Sequence, residues 1–190
     1  PLLKVRDLKV ADETGAVHLN GVSFTLREGE ILGIAGVEGN GQSQMIDAIT
    51  GMGHVSSGTV ELAGNDVTGA SVRKIRGLKL AHIPEDRMTT GVAAGLSIRE
   101  NVIADKLGWK RFSKGGLLDR KEIRAYGEEM VRDYQILCKS QDVEIGSLSG
   151  GNIQKGVVAR ELSADPVVVV ANQPTRGVDV GASEFIRQRL

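Results

Sequence analysis

Residues 36–43, GVEGNGQS, constrain this chain more than any other segment of it. They follow the apolar run at residues 30–36, which predicts a short buried strand, and they precede a helical pattern that stops at Gly51. Glycines in such a turn let consecutive backbone N–H groups surround an anion, and the following helix adds its positive N-terminal dipole. The order strand, glycine loop and helix therefore predicts an α/β fold with a phosphate site at the end of the strand.

The segment departs from the phosphate-loop pattern G-x-x-x-x-G-K-S at one position, where Gln42 replaces the lysine. An amide gives neutral hydrogen bonds, and charge-assisted bonds to a phosphate are roughly twice as strong. We therefore expect weak nucleotide binding through the backbone, with a plain glycine-rich turn as the alternative. Ser43 is the candidate Mg²⁺ ligand. The predicted nucleotide-binding residues are Gly36, Val37, Glu38, Gly39, Asn40, Gly41, Gln42, Ser43 and Gln44.

Hydrophobic periodicity predicts the other elements of the chain. Residues 2–10 and 17–26 alternate as half-exposed antiparallel strands do, and residues 119–136 have helical spacing. Further predicted elements are a returning strand with a tight turn at 58–69, a core strand at 78–86 that ends at Pro84, a helix at 97–105 and a buried strand at 166–173. We predict a sheet core at residues 1–95 and 147–190 and a helical insertion at residues 96–146.

Composition limits the function. Lys plus Arg and Asp plus Glu both number 24, so the zero net charge gives no general attraction to nucleic acid, and we expect none as a partner. The single cysteine, Cys138, allows no internal disulfide and favours a reducing, cytoplasmic environment. The longest apolar run near the C-terminus, residues 167–171, is far shorter than the ~20 residues of a membrane helix, so any membrane role is expected to be peripheral.

One segment combines basic and aromatic side chains. Trp109 and Phe112 lie among four basic residues, which suits phosphates or lipid headgroups, although a solvated loop with two aromatic anchors is the commoner meaning. The basic residues are Lys106, Lys110, Arg111 and Lys114.

A second anion-binding pattern is LSGGN, formed by Leu148, Ser149, Gly150, Gly151 and Asn152. Ser149 is a suitable N-cap for a helix that runs to about Leu162, and the two glycines expose backbone N–H groups. Here the chain resembles the ATP-binding cassette (ABC) family, whose signature is LSGGQ, and the resemblance covers essentially all 190 residues. It implies a P-loop NTPase fold with a mixed parallel sheet core, an antiparallel β subdomain and a helical insertion. It also implies head-to-tail pairing of two cassettes, in which each signature acts on the partner's ATP.

The resemblance makes the end of the last strand informative. The family has Asp-Glu-Pro-Thr there, with an aspartate that orders Mg²⁺ and a glutamate that activates water, whereas this chain has Asn172 and Gln173. With Gln42, three charges that would face Mg-ATP are replaced by amides. Glu85 takes the position of the family's loop glutamine, and no aromatic residue in 8–15 is available to stack on adenine. The partner-crossing loop is intact at Thr175, Gly177 and Asp179.

The family's switch histidine would lie beyond Leu190, because the three histidines all come too early in the chain, so we expect a fragment. They are His18, His54 and His82. The motifs IPEDR, LSGGN and QPTRGVDVGA resemble the second cassette of double-cassette importers of ribose-like sugars and nucleosides, and the last of them points toward the nucleoside branch.

That resemblance implies an ATP-binding importer subunit at the cytoplasmic face of the membrane. Its expected partners are a first cassette, permease subunits and, indirectly, a solute-binding protein, and its cofactors are ATP and Mg²⁺, held weakly or without hydrolysis at its own site. Two alternatives stay open: a structural cassette that binds no nucleotide, and an ABC protein without a transport role.

Overall fold

The computed structural model describes residues 1–12, 14–37 and 39–190. The chain divides into two compact units, residues 1–82 with 166–170 and residues 83–165 with 171–190. The strands are β1 (Leu3–Ala11), β2 (Val17–Leu26), β3 (Ser57–Leu62), β4 (Asn65–Asp66), β5 (Leu80–Ile83), β6 (Ser113–Lys114), β7 (Leu117–Leu118) and β8 (Val168–Ala171). The helices are α1 (Gln42–Thr50), α2 (Val72–Gly77), α3 (Ile98–Ile103), α4 (Arg120–Asp133), α5 (Gly150–Leu162) and α6 (Val180–Arg189).

The first unit contains an antiparallel sheet in the order β2-β1-β3-β4, which confirms the predicted strands at 2–10, 17–26 and 58–69. The buried side chains of β1 change phase between Val5 and Leu8, because a bulge there places Asp7 at φ 45°. Gly58, at φ 92°, lies against this bulge, and a Cβ on it would fall 2.4 Å from the Asp7 carbonyl oxygen. Only glycine therefore fits where β3 passes the bulge.

Helix α1 packs its buried face on the same sheet and ends, as predicted, at Gly51 with φ 80°. The strand predicted at residues 30–36 is wrong, since these residues form no strand and Ile31 and Ile34 are 90% and 51% exposed. A strand needs a neighbouring strand to take its N–H and C=O groups, and no described strand pairs with this segment. Its apolar composition alone did not specify that neighbour.

Strands β5 and β8 form a two-stranded sheet, most of which belongs to the first unit. The Val168 N–H donates to the Lys79 carbonyl at 3.4 Å, and the Asn172 N–H donates to the Ile83 carbonyl at 2.9 Å. Both partners advance by four residues in the same direction, so the two strands are parallel. The prediction of a strand at 166–173 is confirmed, although Val168 is buried while Val169 and Val170 are only half-buried.

The second unit is mainly helical: α3 packs on α4 and α5, and α5 packs on α6. The helices predicted at 97–105, at 119–136 and after Ser149 are confirmed. Ser97 and Glu100 form a capping box at the start of α3, which fixes where that helix begins. In the described residues, no helix is both long and apolar enough to cross a membrane.

Residues 106–114 do not form a purely solvated basic loop. Phe112 is fully buried between Trp109 and Tyr126, so it is an anchor as predicted. Lys106 is fully buried too, which the sequence analysis did not foresee. Its ammonium group donates to the carbonyl oxygen of Arg160 at 2.6 Å and to Asp105 Oδ1 at 2.7 Å, and burial lowers its pKa.

Candidate functional site

The glycine loop leads directly into α1. Gly41 is the N-cap residue of this helix with φ 92°, and a Cβ on it would fall 2.3 Å from the His18 carbonyl oxygen. Among the described residues, no side chain caps the helix, and Ser43 is exposed in its first turn. The first-turn N–H groups have no partner within an α-helix, so this end can receive an anion. Glu38, one of the predicted binding residues, lies outside the described residues.

Gln42 points back into the loop. Its Nε2 donates to the Val37 carbonyl at 3.1 Å, and a Cβ on Gly36 would fall 1.9 Å from the same nitrogen. One N–H group of the Gln42 amide is therefore already bonded to the backbone of the loop. A lysine side chain directed at a phosphate would supply a full positive charge, which this amide does not.

Amide and carboxylate side chains meet at the end of β8. The Glu85 carboxylate accepts from Gln173 Nε2 at 3.0 Å and from Asn172 Nδ2 at the longer distance of 3.5 Å, and it forms an ion pair with Arg176. Gln173 has φ 47°, a left-handed backbone conformation that is uncommon outside glycine. The structure thus brings Glu85, Asn172 and Gln173 together with Arg176.

This donor set does not suit Mg²⁺. Mg²⁺ is usually held by charged carboxylates, whereas Asn172 and Gln173 are neutral amides whose N–H groups face Glu85. The Glu85 carboxylate is already paired with the Arg176 guanidinium. Among the described residues, no three acidic, histidine or cysteine side chains form a cluster that could hold a metal ion.

The two residues after Glu85 also have defined roles. Asp86 accepts from the N–H groups of Met88 and Thr89 and so caps a π-helical turn at Arg87–Gly91. These hydrogen bonds, first of all those with Thr89, lower the pKa of the Asp86 carboxyl. Arg87 donates from Nη1 to the Arg176 carbonyl at 2.8 Å and from Nη2 to the Gly177 carbonyl at 3.0 Å.

The LSGGN segment starts α5, with Ser149 at the N-cap position. The expected N-cap hydrogen bond is absent from the described residues, because Ser149 Oγ accepts from Asn152 Nδ2 at 2.9 Å instead. Asn152 is held in turn, since its Oδ1 accepts the Leu137 N–H at 2.8 Å. The bond to Asn152 uses an oxygen lone pair of the exposed serine and leaves its hydroxyl proton able to reach an anion.

The start of α5 contacts the loop at residues 174–179 directly in two places and through Arg87 in a third. Gln154 Nε2 donates to the Pro174 carbonyl at 2.9 Å. A Cβ on Gly151 would fall 2.7 Å from Asp179 Oδ2, and a Cβ on Gly150 would fall 2.6 Å from Arg87 Nη2. Asp179 also caps α6 by accepting the Ala182 N–H at 2.8 Å. The second unit therefore places the signature residues beside Gly177 and Asp179.

Arg87, Gln154 and Arg176 are the residues that the sequence analysis missed at this site. Gln154 donates to a carbonyl 20 residues away, and Arg87 donates to carbonyls 89 and 90 residues away. No local pattern encodes such contacts. The only hint was the position of Arg87 within IPEDR, directly after Glu85.

Comparison with known proteins identifies the fold and the relatives. The model of the family described as "ABC transporter" matches residues 19–176. Over its whole length, the chain is 38% identical to the nucleoside import ATP-binding protein NupA of Lactococcus lactis and 42% identical to the glucose import ATP-binding protein TsgD13 of Haloferax volcanii. It is 36% identical to the guanosine import ATP-binding protein NupO of Bacillus subtilis. The chain covers 37%, 35% and 37% of these relatives, about a third of their length.

Solved structures agree on the fold. A dimeric bacterial ABC transporter cassette, MJ0796, superimposes with a TM-score of 0.82 over 98% of this chain and 80% of its own, at 22% identity. The same cassette in a post-hydrolysis state with ADP and Pi gives a TM-score of 0.81 at 24% identity, again over 98% of this chain and 80% of its own. With a family model over most of its length and curated relatives over all of it, this chain belongs to the ABC transporter family.

Proposed function

We propose that this chain is a nucleotide-binding cassette of an importer for simple sugars or nucleosides. Relatives that match the whole chain are named as import ATP-binding proteins for nucleosides, guanosine, glucose and ribose. The segment QPTRGVDVGA favours the nucleoside branch. The core at 1–95 and 147–190 would bind nucleotide and the partner cassette, and the helical insertion at 96–146 would face the membrane subunits.

The chain's own nucleotide site is degenerate in this proposal. The observation that carries this view is the Glu85 cluster, in which the side chains at the two normally acidic positions are amides that donate to a carboxylate already paired with Arg176. Neither amide can accept a proton from water, so no catalytic base is available at these positions. Gln42 supports the same view, because it binds Val37 and adds no charge.

The glycine loop would still hold a nucleotide. Its contribution is the uncapped first turn of α1 and the tight backbone at Gly41, and neither depends on Gln42. When bound, ATP would supply the phosphate chain that these N–H groups recognise. The donor set at Asn172 and Gln173 does not suit Mg²⁺, so we assign this site no hydrolytic step.

The catalytic contribution of the chain would be its signature, offered to the ATP of a partner cassette. Ser149 is exposed, its hydroxyl is oriented by Asn152, and the first turn of α5 adds backbone N–H groups and a positive dipole. Such fixed donors stabilise charge that develops on a phosphoryl group in the transition state. The partner would supply the phosphate loop and the catalytic carboxylate.

As part of an importer, this cassette would lie at the cytoplasmic face of the membrane. It would contact the permease subunits directly and a solute-binding protein indirectly. Closure of the two cassettes around the partner's ATP would move the helical insertion and the Glu85 region against the permease.

Two substitutions test the proposal in the complete ATP-binding protein assembled with its permease. Ser149→Arg should abolish ATP hydrolysis, because a bulky cation replaces a phosphate donor in the composite site. Gln42→Ala should change hydrolysis little, because its loop belongs to the degenerate site. If both variants lose most of their ATP hydrolysis, this chain's own site turns over. If neither variant changes hydrolysis, the signature of this chain has no catalytic role.

A binding measurement on the 190-residue chain separates a nucleotide-holding cassette from a purely structural one. Equilibrium titration with Mg-ATP and with ATP in EDTA should give the same weak affinity, since binding relies on backbone donors. Absence of binding in both titrations would favour the structural cassette. A strong requirement for Mg²⁺ would contradict the degenerate site.

A further inference from the structure

Arg87 connects two segments that are distant in sequence. Its guanidinium donates to two successive carbonyls, those of Arg176 and Gly177, at 2.8 and 3.0 Å. A planar guanidinium presents several N–H donors in a fixed fork, so two such bonds define its orientation as well as its position. These carbonyls belong to the second and third residues before Asp179, which caps α6.

The same guanidinium also lies against the first residue of α5. A Cβ built on Gly150 would be 2.6 Å from Arg87 Nη2 and 3.2 Å from Cζ, both too close for undisturbed packing. Glycine at 150 therefore serves a purpose beyond exposing backbone N–H groups. It leaves the space in which Arg87 can reach the two carbonyls.

Gly151 has a different neighbour. A Cβ on it would be 2.7 Å from Asp179 Oδ2 and 2.9 Å from Ala182 Cβ, and Arg87 is not among its three nearest contacts. Adjacent glycines of one motif thus accommodate two separate groups from two segments. This difference allows the effect of Arg87 to be isolated experimentally.

We propose that Arg87 is a positioning residue, which fixes the start of the LSGGN helix relative to the loop at residues 176–179. Arg87 acts through Gly150, Arg176 and Gly177. The catalytic consequence rests on the proposed function, in which Ser149 and the α5 N-terminus meet a phosphate bound by a partner cassette. Displacement of a phosphate donor by about 1 Å can cost on the order of a hundredfold in rate, so the loss of Arg87 should be felt in catalysis.

The contact itself can be tested in the 190-residue chain with a double-mutant cycle, which needs no nucleotide. Gly150→Ala should lower the urea midpoint of unfolding, because the new methyl group displaces the guanidinium from its carbonyls. In an Arg87→Ala background the same substitution should lose at least half of that effect. Gly151→Ala is the matched control and should lower the midpoint equally in both backgrounds. Equal effects of Gly150→Ala in both backgrounds would overturn the proposed contact.

The catalytic role needs the complete ATP-binding protein with its permease. Arg87→Ala should reduce kcat for ATP about tenfold to a hundredfold while KM changes by less than about threefold, because the ATP is bound by the partner's loop. Arg87→Lys should recover part of kcat, since its ammonium group keeps the charge and can donate to a carbonyl but lacks the fixed fork of arginine. A loss of stability with unchanged kcat would leave Arg87 a structural residue and overturn the proposal.

Failure of the proposed function gives a different pattern. If Ser149→Arg leaves hydrolysis intact, the signature of this chain has no catalytic part, whatever Arg87 does. The unfolding cycle still decides whether Arg87 and Gly150 are coupled, because it measures no activity.

Discussion

The side-chain amide of Gln173 donates to the Glu85 carboxylate, with Nε2 3.0 Å from Oε1. Gln173→Glu would replace this donor by a second carboxylate, so that Arg176 would be the cation shared by both carboxylates. We expect the free energy of unfolding at pH 7 to fall by about 1–2 kcal/mol, since a charged hydrogen bond is replaced by a repulsion in a partly exposed site. Urea denaturation measures this loss.

Two further variants control for the added charge. Gln173→Glu combined with Glu85→Gln restores one carboxylate and one amide, and it should recover most of the lost stability. Asn20→Asp adds the same charge opposite Lys9 in the sheet and should be close to neutral. If the double variant is as unstable as the single one, the Glu85 contact is not the cause.

We expect Lys106 to stabilise the second unit strongly, although its charged side chain is buried. Its ammonium group bonds the Arg160 and Val102 carbonyls and Asp105, and its side chain is fully buried. Lys106→Met keeps much of the volume but removes the donor, so we expect a loss of about 2–4 kcal/mol. Lys110→Met, on the exposed part of the same loop, should change stability by less than about 0.5 kcal/mol. Similar losses in both variants would contradict this role.

The capping box of α3 predicts a pH dependence. The Ser97 hydroxyl, followed by the Ser97 N–H, lowers the pKa of Glu100 from 4.5. A carboxyl whose folded pKa is depressed stabilises the fold above its unfolded pKa, and this contribution disappears as pH falls through the folded value. The stability difference between the wild type and Glu100→Gln should therefore be present at pH 7 and shrink below about pH 4. A difference that is constant with pH would show that the charge is not involved.

Trp109 and Phe112, the two aromatic residues of the 106–114 loop, should contribute differently to the free energy of unfolding. Phe112 is fully buried and packs edge-on against Tyr126 at 5.0 Å, whereas Trp109 is 41% exposed. Phe112→Ala should cost about 3–4 kcal/mol through lost burial and a cavity, and Trp109→Ala less than half of that. Thermal unfolding of both variants gives the comparison. A larger loss at Trp109 would mean that the outer ring is the main anchor.

Local patterns predicted the elements whose signals are contained in a few adjacent residues. Gly51 ends α1 in a left-handed conformation, which is a local property of glycine, and the predicted strand at 17–26 has the same bounds as β2. The prediction of a strand at 30–36 was wrong because a strand also needs a neighbouring strand to pair with, which its own residues do not specify. Ser149 was predicted as the capping side chain of α5, yet its hydroxyl is used by Asn152, a competition within one turn that residue preferences do not resolve.

Only the residues that lie within recognisable motifs could be assigned to the site from the sequence. Glu85, Asn172 and Gln173 could be placed together from the resemblance alone, but the hydrogen bonds among them could not. The contacts of Arg87 and Lys106 could not be predicted, because an arginine or lysine in sequence looks the same whether it is solvated or bound to carbonyls from a distant segment. Such contacts depend on how segments far apart in the chain are packed.

The bulge of β1 gives the antiparallel sheet a single alignment. Because the Asp7 carbonyl occupies the space that a side chain at position 58 would need, β3 can pass β1 only where its glycine meets the bulge. A slip of one residue would bring Ser57 or Thr59 to that point, and either would collide with the carbonyl. The contact between Gly58 and the bulge therefore fixes the register in which β1 and β3 pair.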